Sequence, residues 1–101
     1  MTLENQHQKI SGYRDLQQHE IDLMNKIKDH AVAGEALIAR VSAHLAANRD
    51  AIERYPSVAD AKIDRDRMAK AEPHRWLAIA RTDLQTANMA LVRAVAQPTT
   101  F

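Results

Sequence analysis

Two apolar seams, separated and ended by prolines, constrain this chain more than any other feature. Met24, Ile27, Ala31, Gly34, Ile38, Val41 and Leu45 recur at steps of three and four, the period of one face of an α-helix. Leu77, Ala80, Leu84, Ala87, Leu91 and Ala94 repeat the pattern. Strict spacing of this kind makes a stripe that needs another helix to lie against. Leu23 and Leu37 widen the first stripe, and Trp76, Ile79, Val92 and Val95 flank the second. The first seam predicts a helix from about 18 to 48. Pro56 disfavours a helical Tyr55, so the break falls at 49–57, and Pro56 or Ser57 opens the next helix. "VADAKIDRDRMAKA" (58–71) is helical and strongly charged. Pro73 lacks a backbone N–H and must kink or restart the helix there. The second seam predicts helix from 74 to 97, ended by Pro98. Before the first seam, 13–17 reads as a short turn or helix, and 1–12 as a polar N-terminal arm.

The expected fold is therefore all-α. It has a short N-terminal helix and two long antiparallel helices in a hairpin, the last one kinked near Pro73, in a single domain over 1–101. Rods of 30–40 residues are roughly 45–60 Å long, and two of them enclose little interior. The second is apolar around more of its circumference than one partner covers. Stripes of that length mark an interface, so the chain is expected to be an obligate homo-oligomer with its core formed between copies. Gly34 lies on the first seam. A glycine inside a helix costs about 1 kcal/mol against alanine, and close approach of another backbone would offset that cost.

Composition narrows the chemistry. There is no cysteine among the 101 residues, which excludes a disulfide scaffold, a thiolate nucleophile and a zinc–thiolate site and fits a cytoplasmic location. No apolar run reaches the roughly 18 residues of a membrane span, and the first 20 residues are too polar for a signal peptide. The formal net charge is +1, weak for a general DNA binder. Of five histidines, His30 and His44 share a helix face but stand about 21 Å apart, too far for one metal. They read as seam-edge residues. No HExxH, glycine-rich phosphate loop or nucleophile elbow is present. The expectation is a non-enzyme with no cofactor and no metal.

Three features are left over. Tyr13–Arg14 precedes Lys26 and Lys28. An aromatic ring can stack on a base while nearby cations meet phosphates, but Tyr13 could equally staple the helix start. His74–Arg75–Trp76 opens the last helix, where anions are favoured; the alternative is an interface tryptophan beside a surface arginine. The closing "VAQPTTF" reads either as a specific element or as a tail that caps an oligomer.

"NQHQKISGYRDL", "EIDLMNKIK" and "RWLAIARTDLQTANMALVRAVAQPTTF" together resemble the helical-hairpin family of phage anti-CBASS proteins. The resemblance covers 5–30 and 71–101, over half the chain. Such proteins are sponges for the cyclic-oligonucleotide alarm signals of bacterial immunity. The resemblance implies a hexamer of interlocked hairpins acting in the host bacterial cytoplasm. It would hold cyclic dinucleotides such as 3′,3′-cGAMP between chains, and cyclic trinucleotides at separate sites. It further implies that Tyr13 stacks on a base, that Lys28 contacts phosphate and that Arg75 belongs to the trinucleotide site. From position alone, Arg14 beside Tyr13 joins the dinucleotide contacts, and Thr82, two turns beyond Arg75 on the same helix, could donate a hydroxyl to the trinucleotide. Ala80 and Ala87–Asn88 depart from the family, which commonly has glycine or a glycine–aromatic pair there. Two other readings remain. One is a helical scaffold that binds another protein without a nucleotide ligand. The other is a nucleic-acid binder using Arg65, Arg67 and Lys70.

Overall fold

A computed structural model describes residues 15–100. They form three helices: α1 (Gln18–Glu53), α2 (Val58–Ala71) and α3 (Pro73–Ala96), with no strand among the described residues. Of the short turn or helix expected over 13–17, residues 13 and 14 lie outside the described residues, and 15–17 are not helical. The polar arm over 1–12 also lies outside. No helix among the described residues is long and apolar enough to cross a membrane.

Each helix end has a local cause. Glu20 sits three residues after Gln17, and its Oε1 accepts the Gln17 backbone N–H at 2.9 Å. The Gln17 carbonyl in turn accepts the N–H groups of Glu20 and Ile21. The carboxylate thus closes the start of α1 as the last residue of a capping box does. α1 runs to Glu53, five residues beyond the seam-based boundary, and stops short of Tyr55 and Pro56. Ser57 is the N-cap of α2, and its hydroxyl accepts the Asp60 N–H at 3.2 Å.

The bend expected near Pro73 takes the form of a full stop and restart on one residue. Glu72 has φ 50° and ψ 54°, in the left-handed region that favours glycine. Its N–H donates to the Met68 carbonyl at 2.9 Å, ending α2, while its own carbonyl accepts the Arg75 and Trp76 N–H groups. Pro73 fills the first position of α3, where a missing N–H costs nothing. Gln97 repeats the left-handed stop at φ 54°, directly before Pro98.

The described residues divide into two compact units, one formed by those up to Ala33 with those from Leu84 on, the other by Gly34–Asp83. In the first, His30 Nδ1 and Asn88 Oδ1 join α1 to α3 at 3.0 Å. In the second, Arg81 donates to Glu35 at 3.3 Å and Arg49 to His74 at 3.1 Å. Moving up α1 from 35 to 49 moves down α3 from 81 to 74, so the two helices are antiparallel within this unit.

The first seam is shielded as its spacing predicts at all but one position: Met24, Ile27, Ala31, Gly34 and Ile38 are half-buried and Leu45 is buried, while Val41 is exposed. The second is shielded only at Leu77 and Leu84. On α3 the shielded stripe runs through Leu77, Leu84, Asn88, Val92 and Val95, while Ala80, Ala87, Leu91 and Ala94 are exposed. The cause is the period. A strict seven-residue repeat drifts by about 20° per heptad across a straight helix of 3.6 residues per turn, and the inward face follows the straight helix. Very little is deeply buried in the single chain. Among the described residues Leu45, Ile52, Ala61 and Ala96 are the buried apolar ones, and no large side chain is fully enclosed.

Candidate functional site

The start of α3 carries the best-defined cluster of candidate residues. Arg75, Ala78, Ile79, Thr82 and Asp83 line one shallow concavity of about 320 Å³. Their offsets of three, four, seven and eight are those of one helix face. The two residues singled out from sequence, Arg75 and Thr82, thus fall on the same surface. Arg75 is steadied from two sides. Its guanidinium carbon lies 5.3 Å from the centroid of the Trp76 ring, a cation–π contact worth about 0.5–1 kcal/mol where exposed. Its Nη1 is 3.6 Å from the Glu72 carboxylate. A guanidinium has five N–H donors, so donors remain for a ligand oxygen.

Between Arg75 and Thr82 lie Ala78 and Ile79, an apolar strip on which a flat group could rest. Asp83 closes the far end, and sequence reasoning did not single it out. Its signal was available in the eight-residue step from Arg75. A carboxylate there repels phosphate but accepts from the amino group of a base or a ribose hydroxyl. The surface is therefore graded, with a cation at one end and an acceptor at the other.

Lys28 stands elsewhere, exposed on α1 in the other compact unit. Neither it nor Lys26 pairs with a carboxylate among the described residues. Tyr13 and Arg14, the other proposed dinucleotide contacts, lie outside the described residues, as does Phe101.

The basic run on α2 is largely matched by acid. Lys62 reaches Asp66 at 2.7 Å, Arg65 reaches Glu53 at 3.5 Å and Arg67 reaches Asp64 at 3.4 Å. That leaves little of the unbalanced positive stripe that duplex binding uses. Three of the four described histidines are tied into helix contacts: His30 with Asn88, His44 with Asn48 at 3.3 Å and His74 with Arg49. Asn88, one of the departures noted in the sequence, is thus the residue that joins α3 to His30. No group of three or more metal-binding side chains occurs among the described residues.

Taken together, the chain is an all-helical protein with an exposed arginine-led face on its last helix and little core of its own. It belongs to the family described as "Acb2/Tad1, hairpin domain", which matches residues 7–96. Among curated proteins it is similar to "Anti-CBASS protein 2" of Pseudomonas phage JBD67, 44% identical over 107 residues that cover 95% of this chain and 97% of that protein.

Proposed function

We propose that this protein blocks CBASS immunity by sequestering cyclic oligonucleotides without cleaving them, acting as a phage protein in the host cytoplasm. The observation that carries the reading is the near full-length likeness to an anti-CBASS protein, together with Arg75 and Thr82 on one surface. Tyr13, Arg14 and Lys28 form the cyclic-dinucleotide site, the tyrosine stacking on a base and the lysine meeting phosphate. Arg75 and Thr82 form a separate trinucleotide site. Three copies of Arg75 around a three-fold axis would match three phosphates.

The working form is a homo-oligomer, most simply a hexamer. Support comes from α3, where part of the heptad stripe is left outside the single chain. Trp76 is 59% exposed and Leu91 48%, along with Ala80, Ala87 and Ala94. Small residues between large apolar ones suit close packing of helices from other copies. The same stripe also favours the second reading, a helical scaffold that binds another protein.

Calorimetry with 3′,3′-cGAMP, a cyclic trinucleotide and a short DNA duplex tests the choice. Heat with the cyclic ligands and none with the duplex is expected, with intact ligand recovered after the complex is denatured. Recovery of a linear product would replace the sponge with a phosphodiesterase. Silence with every cyclic ligand would leave the scaffold.

A further inference from the structure

A second concavity, of about 330 Å³, lies within the unit Gly34–Asp83, bounded by the end of α1, by α2 and by the start of α3. Its volume is at the small end of the range for ligand pockets, about 300–1,000 Å³. The floor is apolar: Ile52, only 4% exposed, with the half-buried Met68 and Pro73. Arg49, Arg65 and His74 stand on its wall.

Charge counting around this floor gives a definite sign. Arg65 is matched by Glu53, another wall residue, at 3.5 Å. Arg49 is bound instead to His74, Nη2 to Nε2 at 3.1 Å. A guanidinium can only donate, so His74 Nε2 is the acceptor of this bond. Arg49 meets no carboxylate among the described residues. The wall therefore carries two positive charges and one negative, a surplus of one, above an apolar floor. The Arg49–His74 bond uses one of five guanidinium donors and fixes the direction of the rest.

We propose that this concavity binds a small amphipathic monoanion: a compact apolar body seated on Ile52, Met68 and Pro73, with one carboxylate held by Arg49. Neither the cyclic-dinucleotide residues nor the Arg75 face contributes to it, so it stands whether or not the sponge reading does. Ile52 and Met68 supply the apolar contact and Arg49 the charge. Arg65 with Glu53 closes the wall without adding net charge. His74 orients the guanidinium.

The test is a titration of the full-length assembled protein with 3-phenylpropanoate, followed through the methyl NMR signals of Ile52 and Met68. Saturable shifts of both are expected. 3-Phenylpropanamide, which keeps the body and removes the charge, and acetate, which keeps the charge and removes the body, should each bind at least about tenfold more weakly. Arg49→Gln should weaken the carboxylate by about tenfold or more, the range of a charge-assisted hydrogen bond, without affecting the amide. Arg75→Gln, on the other concavity, should leave all three affinities unchanged. Equal binding of amide and carboxylate would overturn the proposal, as would an unchanged affinity in Arg49→Gln. So would the absence of any shift at Ile52 and Met68.

Discussion

α2 and α3 are separated by a single residue, Glu72, yet dispose of charge and apolar surface in opposite ways. On α2, Lys62, Asp64, Arg65, Asp66 and Arg67 are all engaged in ion pairs, within the helix or with Glu53. Its exposed apolar residues, Val58 and Ile63, stand singly among these charges, which is ordinary for a surface. On α3 Arg75 pairs with Glu72 and Arg81 with Glu35, and Trp76, Ala80, Ala87, Leu91 and Ala94 form an exposed apolar stripe. Exposed ion pairs contribute little stability. The contrast therefore concerns what each helix leaves available: α2 is largely self-matched, and α3 offers an apolar stripe and a cation.

The largest expected effect breaks this contrast at the stripe. Leu91→Asp should cause the proposed hexamer to dissociate. Leu91 is 48% exposed in the single chain, so assembly covers about half of it; at about 1.5–3 kcal/mol for a whole leucine, six chains would lose about 5–9 kcal/mol. Ile63→Asp, the matching change on α2, should leave the mass unchanged. Light scattering that shows the opposite order, or dissociation in both variants, would remove the distinction between the helices.

Next comes the cation. Arg75→Glu should weaken a cyclic trinucleotide by about a hundredfold or more, since each charge-assisted hydrogen bond carries about 1.5–3 kcal/mol. Binding of 3′,3′-cGAMP should be untouched. Arg67→Glu, on the self-matched helix, should alter neither. Tyr13→Ala should do the reverse of Arg75→Glu, removing two base stacks and about 2–6 kcal/mol from dinucleotide binding. Calorimetry in which Arg75→Glu weakens both ligands equally, with the oligomer intact, would reduce the two sites to one.

These contrasts were only partly legible in the sequence. The first seam, the proline breaks and the Ser57 cap were readable because each depends on neighbours within about one turn. Glu72 was not, since nothing in "AEPHRW" announces a left-handed residue where glycine is usual. The rotation of the α3 stripe was missed because a heptad repeat and a straight helix differ by only about 20° per seven residues. The stripe read from sequence is split: Leu77 and Leu84 lie on the shielded side, while Ala80, Ala87, Leu91 and Ala94 stay exposed. Arg49 with His74, and Glu53 with Arg65, are 25 and 12 positions apart, so only the folded chain brings them to one wall. Arg75 was readable as a cation at a helix start and Thr82 as a residue two turns further along, and their shared face follows from helical spacing alone.

A smaller effect concerns the joint between the two helices. Glu72→Gly should stabilise the protein by about 0.5–1 kcal/mol, because a non-glycine residue in the left-handed region is strained by roughly 1–2 kcal/mol and glycine recovers part of that. It also frees Arg75 from its carboxylate, so trinucleotide binding should tighten. Ser57→Ala, at the opposite end of α2, should cost about 1 kcal/mol and leave binding alone. Chemical denaturation together with calorimetry would read both effects. A stabilised Glu72→Gly with weaker binding would mean that Glu72 positions Arg75 rather than competing for it.

The smallest effect tests how self-contained α2 is. Tyr55, in the break before it, donates to Asp64 at 2.6 Å. That hydrogen bond is the main reason the Asp64 carboxyl is held below its usual value, with Arg67 adding to the effect. It is also the main reason the Tyr55 hydroxyl is pushed above its own. The depressed carboxyl contributes stability that is present above the unfolded value near 4 and is lost as pH falls through the folded one. The raised phenol contributes stability that is present below about 10 and is lost as pH rises through the folded value. Tyr55→Phe removes this bond while Arg67 keeps its own hold on Asp64. The variant should therefore melt slightly below the parent across the neutral range, and the gap should narrow on both sides, below about 4 and above about 10. Both groups are near the surface, so the gap should be a small shift in Tm. A gap that stays constant from acid to alkali would show that the Tyr55 ring, rather than its hydrogen bond to Asp64, secures the turn before α2.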